Sequence, residues 1–139
     1  MRPFPRPTLV LSACLNLEPV RYNGQVVRDD FVLKLREFCD VISVCPEVAI
    51  GLGVPRDRVI VYEENGYKLS QPSTKRDLTD LMNSFSESFL SSLKDVDGFL
   101  LKSKSPSCGV SNTLIYKDPE GKEFKKRGKG LFAMRVIER

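Results

Sequence analysis

Histidine is absent from the 139 residues, which removes Ser-His and Cys-His catalytic dyads and mixed Cys/His zinc sites. No apolar run is long enough to span a bilayer, and the first residues, Met-Arg-Pro-Phe-Pro-Arg-Pro, hold no hydrophobic signal core. These absences predict a cytoplasmic protein with no membrane contact. Neither a Gly-x-Gly-x-x-Gly run nor a phosphate-loop motif occurs, which argues against a dinucleotide cofactor. No Cys-x-x-Cys pair occurs either, so a closed structural zinc site of the usual spacing is not expected. The four cysteines stand far apart and without a secretory signal, so a disulfide framework is not expected. No repeat or linker interrupts the chain, and residues 1–139 are predicted to form one domain.

What is present reads as an ordinary globular chain: 41% apolar and 29% charged residues, with a net charge of +4. That mild basicity permits an anionic partner without requiring one. Strand and helix patterns alternate. Apolar or β-branched runs at 8–14, 41–45, 58–62 and 98–101 predict four buried strands. Asp29-Asp30 starts a predicted helix that ends near Asp40, with Phe31, Leu35, Phe38 and Ile42 at its apolar spacing. Asn65-Gly66 predicts a tight turn into residues 67–69. Ser73 or Thr74 is the expected cap of a long helix whose stripe is Leu78, Leu81, Met82, Phe85, Phe89, Leu90 and Leu93. A small hairpin around 118–121, between residues 113–116 and Phe124, and a closing helix at 130–138 complete the pattern. The expected fold is α/β: a Rossmann-like three-layer sandwich with a mostly parallel sheet, helices on both faces and a C-terminal β-hairpin.

Such sheets bind ligands beyond the carboxyl ends of their strands. Cys14 and Cys45 sit at two of those ends, and Cys108 lies a few residues past a third, beside Gly109. On this topology the three thiols can converge. Three thiolates without imidazole suit a soft metal centre, and an iron-sulfur cluster fits the ligand type better than zinc. The plain alternative is that each cysteine packs in the core. That alternative is favoured for Cys39, which lies in a Phe-Cys-Asp context with no turn chemistry. A regulatory disulfide between two strand-end cysteines is a further alternative.

The stretches SACLN at 12–16, VRYNG at 20–24, VCPEVAIGLGVPR at 44–56, LKSKSPSCG at 101–109 and GKGLFA at 128–133 resemble the thiouracil desulfidase family. The spelling is closest to the desulfidase domain of the enzymes that act on 4-thiouridine in tRNA. The resemblance implies a 4Fe-4S cluster held by Cys14, Cys45 and Cys108 with one iron left open, a catalytic Glu47 and a catalytic Ser105. It also implies hydrolytic removal of sulfur from thiolated uracil, releasing hydrogen sulfide. The substrate is then free 2- or 4-thiouracil, or 4-thiouridine in tRNA. Without the resemblance, Glu47 reads equally as a solvated loop carboxylate, and Ser105 as a turn-forming Ser-Pro.

Weaker substrate-binding candidates are Arg21 and Tyr22 in the turn after Cys14, Arg56 after Pro55, Lys104 beside the cysteine loop, and Gly109, whose missing side chain lets backbone approach a bulky ligand. The basic run Lys125–Lys129 reads first as a solvated face and second as an RNA contact. A reading of another class is a non-catalytic, cluster-carrying module that binds tRNA or a protein partner. Oligomeric state has no sequence signal.

Overall fold

The computed structural model describes residues 6–13, 30–53, 56–93 and 96–138. Three parallel strands form one sheet in the order β2-β1-β6: β1 (Thr8–Ser12), β2 (Asp40–Val44) and β6 (Gly98–Leu100). The central strand is buried on both faces, with Val10 and Leu11 fully enclosed, as its unbroken apolar spelling predicts. Ser12 lies opposite Val44, and Leu11 opposite Leu100. The three chains therefore leave the sheet along one edge. Chain order also reverses about β1, from β2 on one side to β6 on the other, which is where open parallel sheets form a crevice.

The third predicted strand does not join this sheet. β3 (Ile60–Glu63) is the centre of a second, mixed sheet in the order β5-β4-β3-β7-β8, with β4 (Tyr67–Gln71), β5 (Arg76–Asp77), β7 (Thr113–Tyr116) and β8 (Phe124–Gly128). Only the β3–β7 pairing is parallel there. The α/β class holds, and the single mostly parallel sheet is replaced by two sheets. The expected turns are present. Asn65 and Gly66 both take positive φ, 53° and 105°, within the three residues that separate Glu63 from its partner Tyr67. Asp118 accepts the amides of Glu120, Lys122 and Glu123 to close the β7–β8 hairpin.

The helices depart from expectation at their ends. The first, α1 (Asp30–Leu35), is shorter than its pattern; Val32 is its buried residue, while Phe31 and Phe38 are exposed. The second, α2 (Pro46–Ala49), was not foreseen. The third, α3 (Thr79–Ser92), begins after a turn at 72–75 and strand β5. Ser73 Oγ donates to Asp57 and Thr74 Oγ1 to the Gln71 carbonyl, so neither caps the helix. Instead Asp77 Oδ1 accepts the Thr79 amide. Leu78 and Met82 are fully buried, whereas Leu81 faces out. The closing helix, α4 (Leu131–Glu138), packs Phe132 against Phe85 and Phe89 of α3, with ring centroids 6.1 and 5.9 Å away. One apolar cluster joins Val10 and Val44 of the parallel sheet to Val61, Leu69 and Ile115 of the mixed one through α3 and α4. No helix among the described residues is long and apolar enough to cross a membrane.

Candidate active site

Cys45 directly follows β2 and occupies the N-cap position of α2; Pro46 is the first helical residue and Glu47 the second. Proline is suited to that position because its missing N–H would be unpaired there anyway. This one-turn helix points the Glu47 side chain inward rather than leaving it in a solvated loop. Glu47 is only 9% exposed. Its Oε1 accepts Arg56 Nε at 3.4 Å and its Oε2 accepts Ser107 Oγ at 3.4 Å. The Arg56 side chain is itself 5% exposed, so it is a buried counter-ion and not a surface ion pair. Burial pushes the Glu47 carboxyl above its ordinary range, while Arg56 and Ser107 pull against that rise. Burial thus raises the cost of the charged form beyond what the arginine returns.

The segment after β6 is fixed backbone by backbone. Lys102 N donates to Ser12 Oγ at 2.8 Å and Lys104 N to Asn112 Oδ1 at 2.9 Å. Lys104 takes a left-handed φ of 63°. Ser105 Oγ accepts two amides, from Ser107 at 3.2 Å and Cys108 at 3.0 Å, and its carbonyl accepts Gly109 N and Thr113 Oγ1. From the other side, the start of α4 donates Leu131 N to the Pro106 carbonyl and Ala133 N to the Ser107 carbonyl. These would otherwise be orphan donors at a helix start, and here they hold the Ser-Pro-Ser-Cys turn in place.

Cys45, Glu47, Arg56, Lys104, Ser105 and Cys108 line one cavity of about 400 Å³ at the carboxyl edge of the parallel sheet, together with Ser12, Ala13, Arg58, Lys102 and Ser107. Cys108 is 3% exposed, and its thiol is pushed up to about 12, first by burial, against hydrogen bonds from Ser12 and Ser107, with Cys45 and Glu47 adding to the rise. Burial raises Cys45 as well. Both thiols keep their protons at neutral pH in the metal-free protein, so they are poor free nucleophiles. Cys14 follows Ala13, whose amide donates to the Val44 carbonyl at 2.8 Å. Cys14, Arg21 and Tyr22 themselves lie outside the described residues.

Among the described residues, then, the predicted Cys45, Glu47, Ser105 and Cys108 meet around one space, and Arg56 and Lys104 join them. Gly109 does not line the cavity. A Cβ there would collide with the Thr113 hydroxyl and come within 2.8 Å of the Ser105 carbonyl, so its missing side chain serves the turn. Cys39 is buried between α1 and β2, away from the cavity. Sequence reasoning missed Ser12, Arg58 and above all Ser107. Arg58 lies over the Tyr116 ring, 5.7 Å from its centroid, a contact no local pattern announces. Ser107 is the other serine of a motif in which only Ser105 was singled out.

Among the described residues the buried Cys108 thiol, the part-buried Cys45 thiol and the buried Glu47 carboxyl line the crevice of the parallel sheet, and no three histidines, cysteines or acids are grouped so that they could hold a metal ion. The profile of the 2-thiouracil desulfurase family matches residues 9–139, and the chain belongs to that family. The chain is 27% identical over 109 residues to the uncharacterized protein YbbK of Bacillus subtilis (strain 168), a match covering 73% of this chain and 72% of that protein. The solved 4Fe-4S-dependent thiouracil desulfidase TudS superposes with a TM-score of 0.69 at 27% identity, covering 96% of this chain and 87% of that one.

Proposed function

We propose that this protein is an iron-sulfur-dependent desulfidase that removes sulfur from a thiolated uracil by hydrolysis. The observation that carries the reading is the Glu47 carboxyl, buried in one cavity with Cys45 and Cys108. The donor set fits a cluster: two thiols line the cavity, a third, Cys14, follows its lining residue Ala13, and no imidazole competes. Thiolates alone suit iron-sulfur centres, and binding there displaces the protons that burial keeps on the free thiols. When bound through Cys14, Cys45 and Cys108, a 4Fe-4S cluster leaves one iron without a protein ligand and supplies a Lewis acid for a soft thiocarbonyl sulfur.

The chain's own groups handle the proton. Hydrolysis exchanges the sulfur of a thiocarbonyl for the oxygen of water, and both water protons leave with the sulfur as hydrogen sulfide. Glu47 takes a proton from the attacking water and returns it to the departing sulfur or the ring nitrogen. Its raised pKa brings it nearer the working pH, where such exchange is efficient. Arg56 holds Oε1 so that the carboxyl keeps one orientation. Ser105, whose Oγ accepts two amides, fixes the turn that carries Cys108 at the cavity wall. Lys102 and Lys104 at the cavity wall favour anionic groups on substrate or product.

The substrate is free thiouracil or 4-thiouridine in tRNA. The exposed cations of edge strand β8 support the polyanion, although Lys125 and Lys126 already pair with Glu63. A cytoplasmic location, where thiols stay reduced, accompanies the reading. Anaerobic reconstitution is expected to give a brown protein with about four irons per chain, and sulfide release from thiouracil or thiolated tRNA. A colourless chain that takes up zinc, or no sulfide from any of these substrates, refutes it. Glu47→Gln is expected to keep the iron and lose sulfide release, whereas an iron-bearing parent that releases no sulfide would leave the non-catalytic module standing.

A further inference from the structure

Ser107 stands between the two groups to which the reaction is assigned. Its side chain is 1% exposed. Its Oγ lies 3.1 Å from Ser105 Oγ, 3.4 Å from Glu47 Oε2 and 3.7 Å from Cys108 Sγ. Ser105 and Glu47 share no hydrogen bond with each other among the described contacts; Ser107 is their common partner.

Counting donors and acceptors orders this chain. A hydroxyl has one proton to give and two lone pairs. Ser105 Oγ already accepts the amides of Ser107 and Cys108, so both lone pairs are in use and its proton points to Ser107 Oγ. Ser107 accepts that proton's bond and has its own to give to Glu47 Oε2 at 3.4 Å, the nearer and more strongly accepting of its two acceptors, the other being Cys108 Sγ at 3.7 Å. The carboxylate, an acceptor only, ends the chain, with Arg56 on its other oxygen. The backbone of Ser107 has little freedom to rearrange, because its carbonyl accepts Ala133 N and Gly130 presses against it from the α4 side.

We propose that Ser107 is a positioning residue that ties Glu47 to Ser105. This rests on the desulfidase reading above and adds a residue that the family resemblance does not assign. Ser107 ties the Ser105 hydroxyl and Glu47 Oε2 into one hydrogen-bonded line, so the carboxyl keeps a fixed orientation toward the cavity while it exchanges protons, and both serines keep their own.

The test is a double-variant cycle on the iron-loaded full chain, with infrared spectra of the same proteins. Ser107→Ala is expected to lower kcat about 10- to 100-fold, the usual loss for a hydrogen-bonding partner behind a reacting group, with KM nearly unchanged and iron retained. Ser105→Ala/Ser107→Ala is expected to be no slower than Ser105→Ala alone, because the two hydroxyls act as a unit. The carboxyl band of Glu47, identified by its loss in Glu47→Gln, should move to higher frequency in Ser107→Ala. Losses that multiply in the double variant, a wild-type kcat in Ser107→Ala, or an unmoved Glu47 band would each overturn the proposal. If Ser107→Ala loses its iron, the infrared band of the metal-free chain decides between the two outcomes. If the parent releases no sulfide, the functional reading fails, and the band still reports whether Ser107 holds Glu47.

Discussion

Gly130→Ala probes the cavity from outside it. A Cβ at residue 130 would lie 2.5 Å from the Ser107 carbonyl carbon, 2.6 Å from its oxygen and 2.8 Å from the Pro106 oxygen. These are backbone atoms, so no side-chain rotation relieves the clash. Either α4 withdraws from the loop, or the loop moves toward the cavity. Withdrawal breaks the bonds from Leu131 N and Ala133 N and pulls Phe132 from its place between Phe85 and Phe89. Overpacking of this kind costs about 1–3 kcal/mol, and a lost buried hydrogen bond about 1 kcal/mol more. At roughly 2–4 °C per kcal/mol for a chain of this size, Tm should fall by roughly 5–15 °C. Displacement of Ser105, Ser107 and Cys108 should also reduce the iron retained after reconstitution. The control is Gly66→Ala, where φ is 105° but nothing lies within 4 Å of the new methyl. That variant should lose about 1 kcal/mol from backbone strain and keep its iron. Calorimetry and iron analysis on both chains decide the matter. A Gly130→Ala protein with parental Tm and full iron would refute the idea that α4 sets the position of the cysteine turn.

Cys39→Ala should keep its iron and lose only packing, about 1 kcal/mol, whereas Cys45→Ser and Cys108→Ser should each lose iron; iron loss in Cys39→Ala alone would break the ligand assignment. Arg56→Ala leaves the Glu47 carboxyl buried without its cation and should cost about 3–5 kcal/mol in urea unfolding, more than Glu47→Gln, which leaves a polar group within reach of the arginine. A pH dependence is expected far from the cavity, at the Tyr62–Asp77 hydrogen bond of 2.8 Å. Burial, then Asp77, pushes the Tyr62 phenol up to about 12, so its contribution is complete below about pH 10 and disappears as pH rises through about 12. Burial opposes ionisation of Asp77, but bonds from Thr79 and Tyr62 prevail and lower its pKa, so that contribution is lost as pH falls below the ordinary carboxylate range. The Tm difference between parent and Tyr62→Phe should therefore vanish at both extremes, and a difference constant with pH would refute it.

Local chemistry explains which parts were legible in the sequence. Thr-Leu-Val-Leu-Ser read as a buried strand because both faces of β1 are covered, and Asn65-Gly66 read as a turn because two positive φ angles leave few other spellings. The split into two sheets was not legible. Arg-Val-Ile-Val-Tyr has the same apolar run whichever sheet receives it, and its partner β7 lies more than fifty residues on. The start of α3 was misread because Ser73 and Thr74 spell a cap as well as Asp77 does; pairing of β4 with β5 decided the issue. Glu47 could not be told from a solvated carboxylate because its burial depends on a one-turn helix too short for periodicity, and on an arginine nine residues away. Exposed Phe31 and Phe38 show the same limit, since helical spacing tells which residues share a face but not which face meets the core.

The block at 128–133 shows how a distant stretch comes to belong to the site. The loop from Lys102 to Gly109 has no ladder of its own, and a turn held only by its own side chains would place Cys108 loosely. Its carbonyls are instead met by the opening amides of α4, and its outer wall by the bare backbone of Gly130. Leu131, Phe132 and Ala133 then anchor that helix in the core, all three buried to within 2% of full enclosure. The thiol, the Ser105 oxygen and the Ser107 hydroxyl thus inherit their positions from the packing of the third and fourth helices. A substitution in that interface should change chemistry in the cavity without touching any residue that lines it.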